Sequence, residues 1–230
     1  MLSIIIPILD EENVIAATHL ALTRLKGSVE VIYVDGGSRD NTFRILSEQD
    51  AHIIKSQQGR GLQMHAGTSV ALGEVFWFLH ADSLPPPDGP EHIANVLQDT
   101  NVVGGNFSVR FDGERLAARF LTWLYPHLGK LGLCYGDSGI FVRRSAYESV
   151  GGFKPYPIFE DLDLVQRLRR IGTVVNIPAL VLTSSRRFET HNFALTFLRW
   201  SILQLLYWLG VSPTRLATKY QPVRLPQKNQ

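Results

Sequence analysis

Cysteine is almost missing from this 230-residue chain: Cys134 stands alone. No disulfide can form within the chain, which fits a reducing compartment and makes the cytoplasm the expected location. Excess charge is missing too. A net charge of +2 at pH 7 is too slight for a nucleic-acid footprint, so no nucleic-acid partner is expected. There is no internal repeat, no low-complexity tract and no linker-like run. The opening run MLSIIIPILDEE lacks a basic segment and a small-residue cleavage site, and acids follow it at once. A first strand is expected there rather than a signal peptide. What is present is apolar: 45% of residues are hydrophobic, enough to bury a core as one domain or one domain with an appendage.

The apolar residues fall in a regular order. Runs at Leu2 to Leu9, Val29 to Val34, His52 to Lys55 and Glu74 to Leu79 read as strands. Stretches of helical potential around Val14 to Leu25, Thr42 to Glu48 and Leu62 to Leu72 separate them. This alternation predicts an α/β fold, a mostly parallel sheet with helices on both faces. Pro85, Pro86 and Pro87 end the fourth unit, and a new helix is expected after Asp88. Val102 to Phe111 and Gly139 to Arg143 read as further strands of a less regular, mixed extension.

In such a sheet the chemistry belongs at the carboxyl ends of the strands. VIYVDGGSRDNT puts Asp35 where a strand becomes a glycine-rich turn. It reads equally as an Asx turn with an N-cap and as a carboxylate for a base or ribose. QGRGLQMHAG sets Arg60 between two glycines before a helix, which suits a diphosphate, though a solvated arginine is the commoner outcome. VFWFLHADSLPP delivers Asp82 to a strand end, with His80 two residues before it, and looks like half of a metal-diphosphate site. In FEDLDLVQRLRRIG, Leu162, Val165, Leu168 and Ile171 recur at helical spacing, so Glu160 and Asp161 start an amphipathic helix, where acids ordinarily serve as caps. YGDSG, Tyr135 to Gly139, reads as a turn before a strand or as a sugar-contacting loop through Asp137.

The order of these segments, SIIIPILDEEN, EVIYVDGGSRDNT, GRGLQMHAG, VFWFLHADSLPP, YGDSGIFVRRSAYESVGGF and FEDLDLVQRLRRIG, resembles the inverting family 2 glycosyltransferases of the GT-A fold over about four fifths of the chain. The DGGS and HAD variants and the short C-terminal tail are similar to a subgroup of small bacterial members. The resemblance implies a Rossmann-like mixed sheet, with residues 1–190 as the transferase domain and 191–230 as an apolar helix and tail. Within that domain, about 1–100 forms the nucleotide-binding half and about 101–190 the acceptor half.

By that resemblance Pro7 opens the loop after the first strand, Glu11 is the uridine- or ribose-side acid, and Asp35 contacts the base. Gly36 stands where the family commonly has a further acid. Arg60 lies near the nucleotide, and Asp82 is the last acid of the DxD motif that holds Mg²⁺ or Mn²⁺. His80 takes the place of the first acid. A structural or sugar-contacting role for it ranks ahead of metal ligation, and a metal contact would favour Mn²⁺. Asp161 is the implied general base with Glu160 orienting it, and Asp163 is expected to face solvent. Asp137 lines the sugar pocket.

The processive members' Q-x-x-R-W motif is replaced by Ser184-Ser185-Arg186-Arg187-Phe188, which argues for a non-processive enzyme and leaves Arg186 or Arg187 as diphosphate partners. The donor implied is a nucleotide-sugar, with a lean towards UDP, and the acceptor a hydroxyl, for which a lipid carrier stays open. The segment Phe193 to Val211 is rich in leucine and aromatics but broken by Arg199, Ser201 and Gln204, so it suits a membrane surface, a homodimer contact or a docking helix rather than a span. A second apolar stretch, Phe120 to Leu133, and several basic residues favour peripheral contact with the cytoplasmic membrane face. A sugar-nucleotide nucleotidyltransferase would need a basic glycine-rich loop after the first strand, where acids stand here. An inactive nucleotide-binding scaffold is the remaining alternative, supported by Gly36 and His80 and opposed by Glu160 and Asp161.

Overall fold

The computed structural model describes residues 1–113, 119–124, 135–184 and 193–218. An eight-stranded mixed sheet runs through both halves in the order β3-β2-β1-β4-β7-β6-β8-β5. Its parallel part is built from β1 (Leu2–Ile8), β2 (Val29–Asp35), β3 (His52–Lys55) and β4 (Val75–Phe78). The near-continuous apolar runs of β1 and β4 follow from burial on both faces. Alternate residues go to opposite sides: Ile4, Ile6, Ile8, Tyr33 and Trp77 join one core, and Ile5, Ile32, Val34, Phe76 and Phe78 the other.

Helices α1 (Ile15–Leu22), α2 (Thr42–Ser47) and α4 (Gly89–Val96) cover the first face through Ile15, Leu22, Leu46 and Ile93. The second face is covered by α3 (Arg60–Val70), α6 (Arg144–Ser149) and α7 (Glu160–Leu168), through Met64, Tyr147, Leu164 and Leu168. Residues 119–124 form α5. The expected helices and strands are present, with ends shifted by a few residues. In α7 the helix stops at Leu168, and Ile171 lies beyond it, 49% exposed.

The mixed extension consists of β7 (Phe141–Arg143), antiparallel to β4 and β6 (Val102–Phe111), and β8 (Thr173–Thr183), parallel to β6. Register shifts at Val102/Gly104 and Phe107/Ser108 bend the β6–β8 ribbon. The far edge is β5 (Ser83–Leu84), antiparallel to β8. Only residues 79–82 join β4 to β5, although three strands separate them in the ladder, so the sheet must curl back on itself around that turn. The curl places the His80–Asp82 turn against the loop before β7.

α8 (Phe193–Trp208) and α9 (Pro213–Ala217) pack through Leu203 and Leu216 on Ile158, Phe159 and Leu162 at the start of α7. The closest approach in the parallel part is between α3 and β1. A Cβ at Gly67 would lie 2.4 Å from Ile5 Cγ2. Gly67→Ala is therefore expected to lower stability by about 1–3 kcal/mol, the range for overpacking, and thermal unfolding measures it.

Candidate active site

Two loops at the carboxyl ends of β1 and β2 are knitted together. Asp10 N–H donates to Ser38 Oγ at 3.1 Å and Glu12 N–H to Asp40 Oδ2 at 3.0 Å, while Arg39 N–H donates back to Asp10 Oδ1 at 2.8 Å. Glu11 N–H is bound by Thr42 Oγ1 at 2.7 Å. Asp35, buried, accepts the N–H and the hydroxyl of Ser38 on Oδ1 at 2.9 and 2.6 Å, so the Asx-turn reading is realised here. Pro7 lies within β1, not in the loop after it. It stands beyond Ile5, the last β1 residue paired with β4, where the missing N–H interrupts no two-sided ladder.

Sequence reasoning missed Gln63. Its amide nitrogen donates to the carbonyls of Ile8 and Val34 at 2.9 and 2.7 Å, and its oxygen accepts Gly59 N–H at 3.3 Å. This buried side chain ties the ends of β1 and β2 to the start of α3. It also explains Gly36: a Cβ there would sit 3.0 Å from the Gln63 amide, leaving no room for the family's further acid without a shift. A polar residue one turn into an amphipathic helix gave no signal that it would face the sheet.

Gly59, with φ +144°, supplies the backbone freedom expected before α3, but Gly61 serves close packing instead. A Cβ on Gly61 would lie 2.9 Å from Lys154 O and 3.2 Å from Glu160 Cβ. This seats the start of α3 on the start of α7 and sets Arg60 Nη1 3.7 Å from Glu160 Oε1. The candidate donor-side cation and the candidate acceptor-side acids thus meet.

Glu160 and Asp161 are both buried in the first turn of α7. Phe159 precedes them at φ +61°, left-handed backbone that costs a non-glycine residue roughly 1–2 kcal/mol. Its ring is held by Tyr207 and Trp200 of α8, with centroids 4.9 and 5.9 Å away. Asp161 Oδ2 accepts Gly136 N–H at 2.6 Å and Oδ1 accepts Leu162 N–H at 2.7 Å. Its carboxyl is pushed up from the ordinary 3.8 to about 6, by burial first and by Glu160 second, against the two N–H groups and Arg60.

Asp163 does not face solvent as expected. It is buried and accepts Lys154 Nζ at 3.0 Å and Arg167 Nε at 2.8 Å, while Arg167 also donates to the carbonyls of Val150 and Gly152. With Asp161 taken as the base, the outer face was expected for it, but residues 150–154 fold over that side through Lys154 and through the Val150 and Gly152 carbonyls that hold Arg167.

The strand β4 ends at Phe78, and His80 to Ser83 form a turn closed by Ser83 N–H to His80 O at 3.1 Å, so His80 and Asp82 do not share an extended strand. His80 Nδ1 pairs with Asp137 Oδ1 at 2.9 Å, in the 3₁₀ turn Gly136–Ser138. Its Nε2 is buried with no hydrogen-bond partner among the described residues, beside Gly136, whose Cβ would lie 2.8 Å from it. One turn thus touches His80 through Asp137 and Asp161 through Gly136 N–H. Arg186 and Arg187 lie outside the described residues.

Among the described residues no three or more His, Cys, Asp or Glu side chains group around a metal position. The donors present still fit a hard cation that takes one or two protein ligands and the rest from diphosphate and water. Asp82 offers a half-buried carboxylate, and the orphaned Nε2 of His80 offers a second donor of a kind Mn²⁺ accepts.

The model of glycosyl transferase family 2 matches residues 3–148, more than half of the chain, and the chain belongs to that family. It is similar to an uncharacterized glycosyltransferase of Nostoc sp., 32% identical over 95 residues, 38% of this chain and 30% of the relative. It is also similar to the undecaprenyl-phosphate 4-deoxy-4-formamido-L-arabinose transferase of Yersinia pestis, 29% identical over 156 residues, 61% of this chain and 47% of the relative. The chain thus spans less than half the length of these curated relatives. In fold it is similar to S. aureus TarS in complex with UDP, at TM-score 0.63 and 15% identity over 80% of this chain and 60% of that one. Glucosyl-3-phosphoglycerate synthase from Mycobacterium tuberculosis, in complex with Mn²⁺, UDP and glucosyl-3-phosphoglycerate, matches at TM-score 0.63 and 21% identity over 92% of this chain and 80% of that one. The expected GT-A fold is the fold observed.

The electrostatics of the acid pair can be tested directly. Glu160→Gln removes a like charge, so the Asp161 carboxyl followed by ¹³C NMR should titrate lower than in the wild type. A value held at 6 would assign the shift to burial alone. Because the folded value lies above the unfolded 3.8, this group's contribution to stability is full below pH 3.8 and is lost as pH rises through about 6.

Proposed function

We propose that the chain transfers a sugar, with inversion, from a nucleotide-diphosphate donor to an acceptor hydroxyl. The observation that carries this reading is the buried Glu160–Asp161 pair, with Glu160 3.7 Å from Arg60 and Asp161 joined through Gly136 to the turn that contacts His80. A carboxyl near pH 6 is matched to proton abstraction at neutral pH. The acceptor oxygen forms its bond to the anomeric carbon as its proton passes to Asp161. The bond from that carbon to the diphosphate oxygen breaks, and the nucleoside diphosphate leaves with the electron pair. Attack from the side opposite the leaving group inverts the centre.

The remaining residues have positioning roles. Glu11, Asp35 and Gly36 border the nucleotide, which we take to be uridine, with Pro7 in the adjoining strand. Arg60 stands towards the diphosphate and Asp137 towards the sugar, and Glu160 orients Asp161. Asp82, with His80 as second donor, would hold a divalent cation, which when bound offsets the charge growing on the diphosphate. Transfer is single rather than processive, with Arg187 as a further diphosphate partner. The acceptor is carried on a lipid, and the protein works as a peripheral membrane enzyme. A nucleotidyltransferase reading is disfavoured because the loop after β1 presents Asp10, Glu11 and Glu12 and no cation.

A thermal-shift screen of nucleotide-sugars with and without Mn²⁺ tests the reading, since a bound donor raises apparent stability. Asp161→Asn should keep the donor-induced shift and lose transfer by about 10²–10⁴-fold, and an active variant would remove Asp161 as base. In the wild type, transfer should rise with pH through about 6. Asp82→Ala should abolish the Mn²⁺-dependent part of donor binding, and unchanged affinity would sink the metal assignment.

A further inference from the structure

α8 is apolar on two opposite faces. The inner one packs Leu203, Trp200 and Tyr207 against Ile158, Phe159 and Leu162. On the outer one Leu195, Leu198, Ile202, Leu205 and Leu209, spaced three and four apart, are 49–72% exposed. A helix that is apolar all round ordinarily has both faces covered. Two of the chain's four tryptophans, Trp123 of α5 and Trp208 of α8, are also exposed here, at 61% and 54%. Phe120 meets Phe197 with centroids 5.9 Å apart, which joins α5 to α8.

Charge identifies the cover. From Thr190 to Gln230 the sequence has no acid; of its basic residues Arg199 lies in α8 and Arg215 in α9, and Lys219, Arg224 and Lys228 lie outside the described residues. Leucine and exposed tryptophan bordered by cations suit the interface of an anionic bilayer. No described helix is long and apolar enough to cross one. A second copy fits less well. The 16-residue helix is about 24 Å long, a narrow stripe against the ~800 Å² per partner of a stable dimer.

We propose that α8 and α5 form an in-plane anchor on an anionic bilayer, and that the anchor sets the catalytic base at headgroup level. Through Phe159 the inner face of α8 touches the residue before Glu160, and Tyr135 Oη donates to Gln204 Oε1 at 3.3 Å beside Gly136. About one helix diameter, ~10 Å, therefore separates the bilayer surface from the start of α7. The acceptor is then an amphiphile that presents its accepting oxygen at the headgroup layer. This last step rests on the glycosyl-transfer reading, whereas the anchor does not.

The full chain is sedimented with vesicles of phosphatidylcholine mixed with phosphatidylglycerol, and with phosphatidylcholine alone. Binding is expected to the mixed vesicles at low salt, to weaken as salt rises, and to quench tryptophan emission when brominated lipid is included. Leu198→Glu with Leu205→Glu should cut binding at least about tenfold, the scale of removing two buried leucines. The same pair should leave the UDP-induced rise in Tm unchanged, which also reports that the variant folds. Failure to bind mixed vesicles at low salt, in protein whose Tm rises with UDP, overturns the anchor. So does a dimer, seen by light scattering, that the double variant splits while vesicles bind neither form. Vesicle binding with no UDP shift would leave the anchor standing and overturn the acceptor assignment.

Discussion

Two carboxyl groups side by side in the interior are costly to bury, and much of the nearby structure bears on them. Glu160 and Asp161 sit in the first turn of α7, where free N–H groups and the helix dipole favour negative charge. Arg60 offsets part of their repulsion, and the backbone N–H groups of Gly136 and Leu162 occupy both oxygens of Asp161. Burial still prevails, and the carboxyl of Asp161 stays near 6. Gly61 and Gly136 are the two places where a side chain would push these supports away. Phe159 accepts left-handed backbone for the same end, and rings of α8 keep it there.

The nucleotide side is held by a different device. The loops after β1 and β2 are cross-linked by hydrogen bonds in which Asp10, Glu12 and Asp40 accept backbone N–H groups of the opposite loop. Gln63 fastens both strand ends from beneath. The half proposed to meet the donor is thus cross-linked by its own hydrogen bonds, which would lower the ordering cost of binding. The start of α7, in the half proposed to take the acceptor, leans instead on the apolar contact between α7 and α8. If that helix lies on a bilayer, binding the surface and positioning the base are one mechanical event.

The parallel half of the fold was legible because its strands are short, mainly apolar and regularly spaced with helices. In β1 and β4 both faces are buried, so composition alone marks them. Glu160, Asp161 and the HAD segment were found by motif, and the structure does bring them together around one turn. Asp163 was misplaced because assigning Asp161 as the base says nothing of which loop folds over its neighbour two residues on. His80 was expected on an extended strand; the turn at 80–83 exists because the sheet curls to return β5 beside β8.

By itself the sequence determined the strand and helix order, the two acids at a helix start and the single carboxylate after β4, since these depend on local pattern and spacing. Tertiary structure decided which groups meet. Arg60 and Glu160 are a hundred residues apart and His80 and Asp137 more than fifty, and only the packing of α3 on α7 and the curl of the sheet bring them into contact. The same packing decided the ionisation of Asp161, because a carboxyl's affinity for its proton depends on the water and charge around it rather than on its neighbours in the chain.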